Sequence, residues 1–156
     1  MKAILLGSIG TIADTSQMQL DAFNQAFRMH NLSWAWSPEE YSKMLKVSGG
    51  ATRIQQYANS LGENVNAAQI HLTKTEIFQS TLSSEGVSLR QGISAILDYA
   101  LNNSIMLGFV TTTTSGNVTE ILKATNVDSK IFNVITTGDV VEKPKPHPAC
   151  KLSIIV

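Results

Sequence analysis

Three short apolar runs, unevenly spaced, constrain this chain more than any other feature. Residues 3–6, 105–110 and 131–135 each read as a buried strand, because a parallel sheet covered on both faces needs near-continuous apolar runs. The first run ends in a tight loop that carries Gly7 and Gly10. The second ends in Thr111-Thr112-Thr113-Thr114, residues that favour strands. Between these two runs the apolar period becomes helical. Leu20, Phe23 and Phe27 predict a helix over residues 16–29. Ser37-Pro38-Glu39-Glu40 is a helix start, with Ser at the N-cap, Pro at N1 and Glu at N3. Gly49-Gly50 breaks that helix. Ile54, Tyr57, Ala58 and Leu61 line the next one, which Gly62 closes. Residues 66–82 form a fourth, with Ile70, Ile77 and Phe78 inward. Gly92 then precedes a helix with Ile93, Ile96, Leu97, Ala100 and Leu101 on its buried face, and residues 117–125 form another. Strands alternating with helices predict an α/β fold around a parallel sheet. The four helices after the first strand read as an inserted cap over residues 16–83, with residues 1–15 and 84–156 as the α/β core.

Charge narrows the partners. Twelve Lys and Arg balance twelve Asp and Glu, so no basic excess argues for a nucleic-acid partner and no acidic excess for a polyanion mimic. Apolar residues are 43% of the chain, which marks it as globular rather than disordered. The single cysteine, Cys150, excludes an internal disulfide and fits a reducing compartment. The apolar start before Gly7 is too short for a signal core or a membrane span. A soluble, cytoplasmic protein is the expectation.

Three segments carry more specific information. The first is Ile4-Leu5-Leu6-Gly7-Ser8-Ile9-Gly10-Thr11-Ile12-Ala13-Asp14-Thr15. The second is Val110 to Val118, with its threonines at a strand end. The third is Gly138-Asp139-Val140-Val141-Glu142-Lys143-Pro144-Lys145-Pro146. In order and spacing they resemble the first three motifs of the haloacid dehalogenase superfamily. Leu32 to Ser37, Tyr41, Val47 to Gly50 and Arg53-Ile54 resemble the cap of its CbbY-type sugar-phosphate phosphatases, relatives of β-phosphoglucomutase. The resemblance covers nearly all of residues 1–148. It implies a Rossmann-like parallel sheet with a helical cap. It also implies Mg²⁺-dependent phosphate-ester hydrolysis through an aspartyl-phosphate, in which positioning and charge neutralisation do most of the catalysis.

The sequence departs from that pattern where the chemistry sits. The nucleophile position is Gly7 and the acid/base position is Ile9, so neither catalytic aspartate is present. The Ile9 carbonyl alone holds Mg²⁺ poorly, and the family's fourth, acidic motif is expected beyond residue 156. No metal or other cofactor is therefore expected, and the sheet is expected to be incomplete at its C-terminal end. Gln17 and Gln19 stand where family members often carry Glu and His; Ala51 replaces a cap lysine, and His147 an aspartate. What the resemblance leaves is a candidate anion cradle of Thr111, Thr112 and Lys143, with Arg53 as the candidate cap cation. The expectation is a catalytically impaired relative that still binds a phosphorylated small molecule. Two other readings stay open: an active hydrolase with substitute groups, and an interaction module or relic using an exposed sheet edge.

Other residues have plainer readings. Ser8 alternates with Gly7 and Ile9 along the strand and so points away from the site. His30, His71 and His147 have no ligand spacing. Trp34 and Trp36 read as packing residues, Asp14 and Asp139 as loop and cap acceptors. The first strand, left at a sheet edge, is a candidate surface for a homodimer, or for cover by residues 152–156.

Overall fold

A computed structural model describes residues 2–141. Lys143, His147, Cys150 and residues 152–156 lie outside the described residues. The chain divides into two compact units, one of residues up to Thr15 and from Glu85 onward, the other Ser16–Ser84. No described helix is long and apolar enough to cross a membrane.

The first unit is α/β. Strands β1 (Ala3–Leu6), β2 (Met106–Val110) and β3 (Val134–Thr136) form a parallel sheet in the order β1-β2-β3. Helix α5 (Ile93–Asn102) leads into β2, and α6 (Ser115–Ala124) leads away from it. Leu6, Leu107 and Phe109 from the sheet bury against Ile93, Leu97 and Ala100 of α5 and Val118 and Leu122 of α6. The buried stripe of α5 is narrower than its sequence predicts. Ile96 is 40% and Leu101 51% exposed, because they flank the stripe that 93, 97 and 100 direct at the core.

The third strand also starts later than expected. Residues Ser129–Ile131 wind into a 3₁₀ turn, capped by the Asp128 carboxylate accepting from the Lys130 N–H at 2.9 Å. Asn133 then brackets Leu107: its side-chain Oδ1 accepts the Leu107 N–H at 2.9 Å, and its own N–H donates to the Leu107 carbonyl at 2.8 Å. The side chain thus stands in for one ladder bond, and regular pairing begins at Val134.

The second unit is helical: α1 (Ser16–Met29), α2 (Pro38–Met44), α3 (Gly50–Leu61) and α4 (Ala67–Glu85). Asn31, at a φ of 56°, terminates α1, and the Leu32 N–H reaches back to the Phe27 carbonyl at 2.9 Å. The Asn24 amide holds both the N–H and the carbonyl of Trp36, at 2.8 and 2.9 Å. That pins the extended segment onto α1 and drives Trp36 between Phe23 and Phe27, with ring centroids 5.0 and 4.7 Å away. Trp34 packs on Phe27 and Tyr57. The two tryptophans thus pack within the helical unit's own aromatic core. The capping box on α2 forms as its sequence predicts, Ser37 and Glu40 exchanging backbone bonds. The helix nevertheless stops at Met44, five residues short of Gly49. Leu61 is 49% exposed, off the buried face of α3.

Candidate functional site

In a parallel sheet the loops leaving the C-terminal strand ends gather along one edge, where ligands bind in open α/β folds. Gly7 follows β1, Thr111 follows β2 and Thr137 follows β3, so the three sequence motifs meet there.

The β1 loop is closely tied. The Gly10 N–H donates to the Ala13 carbonyl at 2.8 Å and the Ile12 N–H to the Ser8 carbonyl at 3.0 Å. Gly10 has a φ of +74°, a conformation glycine tolerates best. Arg90 ties the loop from outside: its N–H donates to the Ile12 carbonyl, and its guanidinium to the Gly10 carbonyl. A Cβ at Gly7 would lie 3.0 Å from the Thr11 hydroxyl and 4.0 Å from the Val110 carbonyl, so a side chain there would press on the threonine. Ile9 is 42% exposed and presents only hydrocarbon. Ser8 is buried, on the opposite side, and its hydroxyl has no protein partner.

The β2 and β3 loops interlock. Thr111 is buried; its N–H donates to the Thr136 carbonyl at 2.9 Å, and its hydroxyl accepts the Thr113 N–H at 3.1 Å. Thr112 is half-buried. A Cβ at Gly138 would stand 2.2 Å from the Thr112 carbonyl oxygen, so only glycine permits this approach. Asp139 accepts from the Ser115 N–H at 3.1 and 3.2 Å, from the Ser115 hydroxyl at 2.7 Å and from the Thr137 hydroxyl at 2.5 Å. The Thr137 and Ser115 hydroxyls pull its carboxyl down to about 2. A fixed carboxylate thus already serves the N-terminus of α6, as the favourable helix-end interaction predicts.

These residues do not fit the Mg²⁺ site that the fold implies. Gly7 and Ile9 offer no carboxylate, and the Asp139 oxygens are engaged. Among the described residues, no three His, Cys, Asp or Glu side chains gather into a metal site.

Arg53 is placed otherwise than a ligand-facing cation would be. It is 7% exposed within the helical unit. Its Nε donates to the Met44 carbonyl at 3.2 Å and its Nη2 to the Val47 carbonyl at 3.0 Å, while the guanidinium lies over Phe23 and Tyr41. One of those bonds serves a carbonyl at the end of α2 and the other a carbonyl of the segment that follows it, so Arg53 fixes the turn between α2 and the glycines.

The sequence reading missed Lys74. It is 3% exposed and donates to the Gln19 side-chain oxygen. Beside it, His71 covers Gly50, where a Cβ would lie 2.2 Å from Nε2. Burial, then Lys74 and Arg53, push the His71 imidazole down to about 4. The missed signal was a lysine at position i+4 from Ile70 and i−4 from Phe78, on the inward stripe of α4.

Comparison with known proteins decides the family. The profile of haloacid dehalogenase-like hydrolases matches residues 10–155. The chain belongs to the haloacid dehalogenase-like hydrolase family. Within it the chain is CbbY-like. It is 34% identical to protein CbbY of Rhodobacter capsulatus over 153 residues, 95% of this chain and 67% of that one. A CbbY from Cereibacter sphaeroides is also 34% identical and is covered to 66%, so the chain spans about two thirds of these relatives. The crystal structure of CbbY from Rhodobacter sphaeroides in complex with phosphate superposes with a TM-score of 0.88 at 32% identity, covering 98% of this chain and 70% of that one. A mutant of the same protein was solved with xylulose-(1,5)bisphosphate, at the same score and identity. The family match begins after Gly7 and Ile9.

Proposed function

We propose that this chain is a CbbY-like phosphatase relative impaired in aspartyl-phosphate chemistry, which retains affinity for a phosphorylated sugar. The observation that carries the reading is the β1 loop. Glycine and isoleucine stand at its two catalytic positions, and the Thr11 hydroxyl lies 3.0 Å from where a Cβ at residue 7 would be. Without a carboxylate at residue 7 no phosphoryl-enzyme forms there. Without an ionisable group at residue 9 no proton reaches the leaving oxygen or leaves the attacking water.

Thr111, Thr112 and Lys143 form the proposed phosphate cradle, with residues 1–15 and 84–156 as core and 16–83 as cap. Thr111 contributes through the loop it fixes, since its hydroxyl is already bonded to Thr113. Arg53 acts in this reading by shaping the α2–α3 connection. A phosphorylated small molecule is the proposed partner and the cytoplasm the proposed location. Association of two copies through β1 belongs to the same proposal, supported by Leu5 being 42% exposed on a strand that pairs with β2 alone among the described residues.

Calorimetric titration with xylulose 1,5-bisphosphate tests the binding half. Saturable heat, lost in Lys143→Ala, is expected. Heat unchanged by that substitution would remove the cradle from the proposal.

A further inference from the structure

The helical unit buries an amine that the sheet-edge site does not use. Lys74 Nζ lies 4.7 Å from the Phe23 ring centroid and 5.0 Å from that of Phe78. Its partner is the neutral Gln19 side chain, contributed by α1. From α3 it faces Arg53, and on α4 its neighbours are His71 and Phe78. Tyr41 of α2 faces Arg53, and burial raises its phenol, so it stays uncharged. His71 is neutral at pH 7 for the reasons above. Among the described residues, the charged neighbour at neutral pH is therefore Arg53, of like sign. Among the described residues no carboxylate pairs with Lys74.

An ammonium in this place keeps two aromatic faces and one amide oxygen but loses its hydration, while Arg53 repels it. Burial first, and Arg53 second, push the amine down to about 7. A neutral amine suits the site better, since it has a lone pair to accept a proton from an amide. The Gln19 amide presents Oε1 to Nζ while its buried Nε2 has no partner, so turning the amide over would offer a neutral amine that donor.

We propose that Lys74 is a proton-operated latch of the helical unit, which closes tightly around the uncharged amine and loosens when Nζ takes up a proton. Between about pH 7 and 10.5 the unfolded chain holds a proton that the folded unit does not. Raising the pH through that window therefore favours the folded unit, by up to about tenfold in the folded-to-unfolded ratio per pH unit.

The chain contains two tryptophans, Trp34 and Trp36, and both are buried in this unit, so their fluorescence reports its unfolding directly. Urea unfolding of the full chain at about pH 7.5 and about pH 9.5 is expected to show the ratio rising by more than about tenfold. In Lys74→Met the rise is expected to vanish. Gln19→Glu places a carboxylate against the ammonium, keeps it protonated and is expected to flatten the profile as well, without removing the lysine. An alkaline rise that persists at its original steepness in either folded variant would overturn the latch.

Discussion

Within each of the two units, single residues fix loops and helix ends by bonding to backbone. Arg53 does so in the helical unit: its two bonds to the Met44 and Val47 carbonyls and its stacking on Phe23 and Tyr41 fix the end of α2. Arg53→Ala removes the side-chain donor to both carbonyls, leaving Met44 with only the Val47 N–H at 3.3 Å, and empties a packed site. It is expected to cost about 2–4 kcal/mol in urea unfolding followed by tryptophan fluorescence. A cost below about 0.5 kcal/mol would return Arg53 to the role of an exposed cation. Asp139 does the same for the sheet-edge loops. Its carboxyl is lowered from 3.8 to about 2 by Thr137 and Ser115, so its contribution is present above about pH 4 and disappears as the pH falls through 2. Acid unfolding of Asp139→Asn is expected to be flatter than that of the unaltered chain between pH 4 and 2. An identical acid limb would contradict the bonds drawn to Ser115.

At the scale of elements, α5 separates a pattern of apolar residues from a buried face. Five apolar positions suggest a broad stripe, yet Ile93, Leu97 and Ala100 face the core while Ile96 and Leu101 are exposed. Leu97→Ala is expected to cost about 2–5 kcal/mol, and Ile96→Lys to stay within about 0.5 kcal/mol, both read from chemical unfolding. A larger loss at 96 than at 97 would reverse the assignment. What the sequence made legible were elements whose ends carry local chemistry: the Ser37 capping box, the Gly62 end of α3, and β1 stopping at Gly7. What it hid were ends set by distant partners. Past the end of α2 at Met44, Arg53 from the next helix bonds to the Met44 and Val47 carbonyls and fixes the turn there. Strand β3 starts at Val134 because Asn133 substitutes for a ladder bond to Leu107. Lys74 was hidden for a related reason, since only the assembled helices reveal that a lysine shares a stripe with Ile70 and Phe78. The candidate site was legible as a set of loops, through Gly7, Ile9, Thr111 and the Gly138-Asp139 pair. The hydroxyls and carboxylate in it are bonded to one another, which no spacing in the sequence announces.

At the scale of the molecule, the frame of the family is kept while the β1 loop carries Gly7 and Ile9. The parallel sheet still brings three motif loops to one edge, and Gly138 still lets two of them touch. The same edge carries hydrocarbon at position 9 and a glycine at position 7 with the Thr11 hydroxyl beside it. A CbbY-like fold can therefore hold its loops in register with glycine and isoleucine at residues 7 and 9, which is the basis of the impairment we propose. The most direct measurement is phosphate release from xylulose 1,5-bisphosphate by the full chain in the presence of Mg²⁺. No release above the protein-free background is expected. Mg²⁺-dependent turnover that disappears in Lys143→Ala would contradict the account.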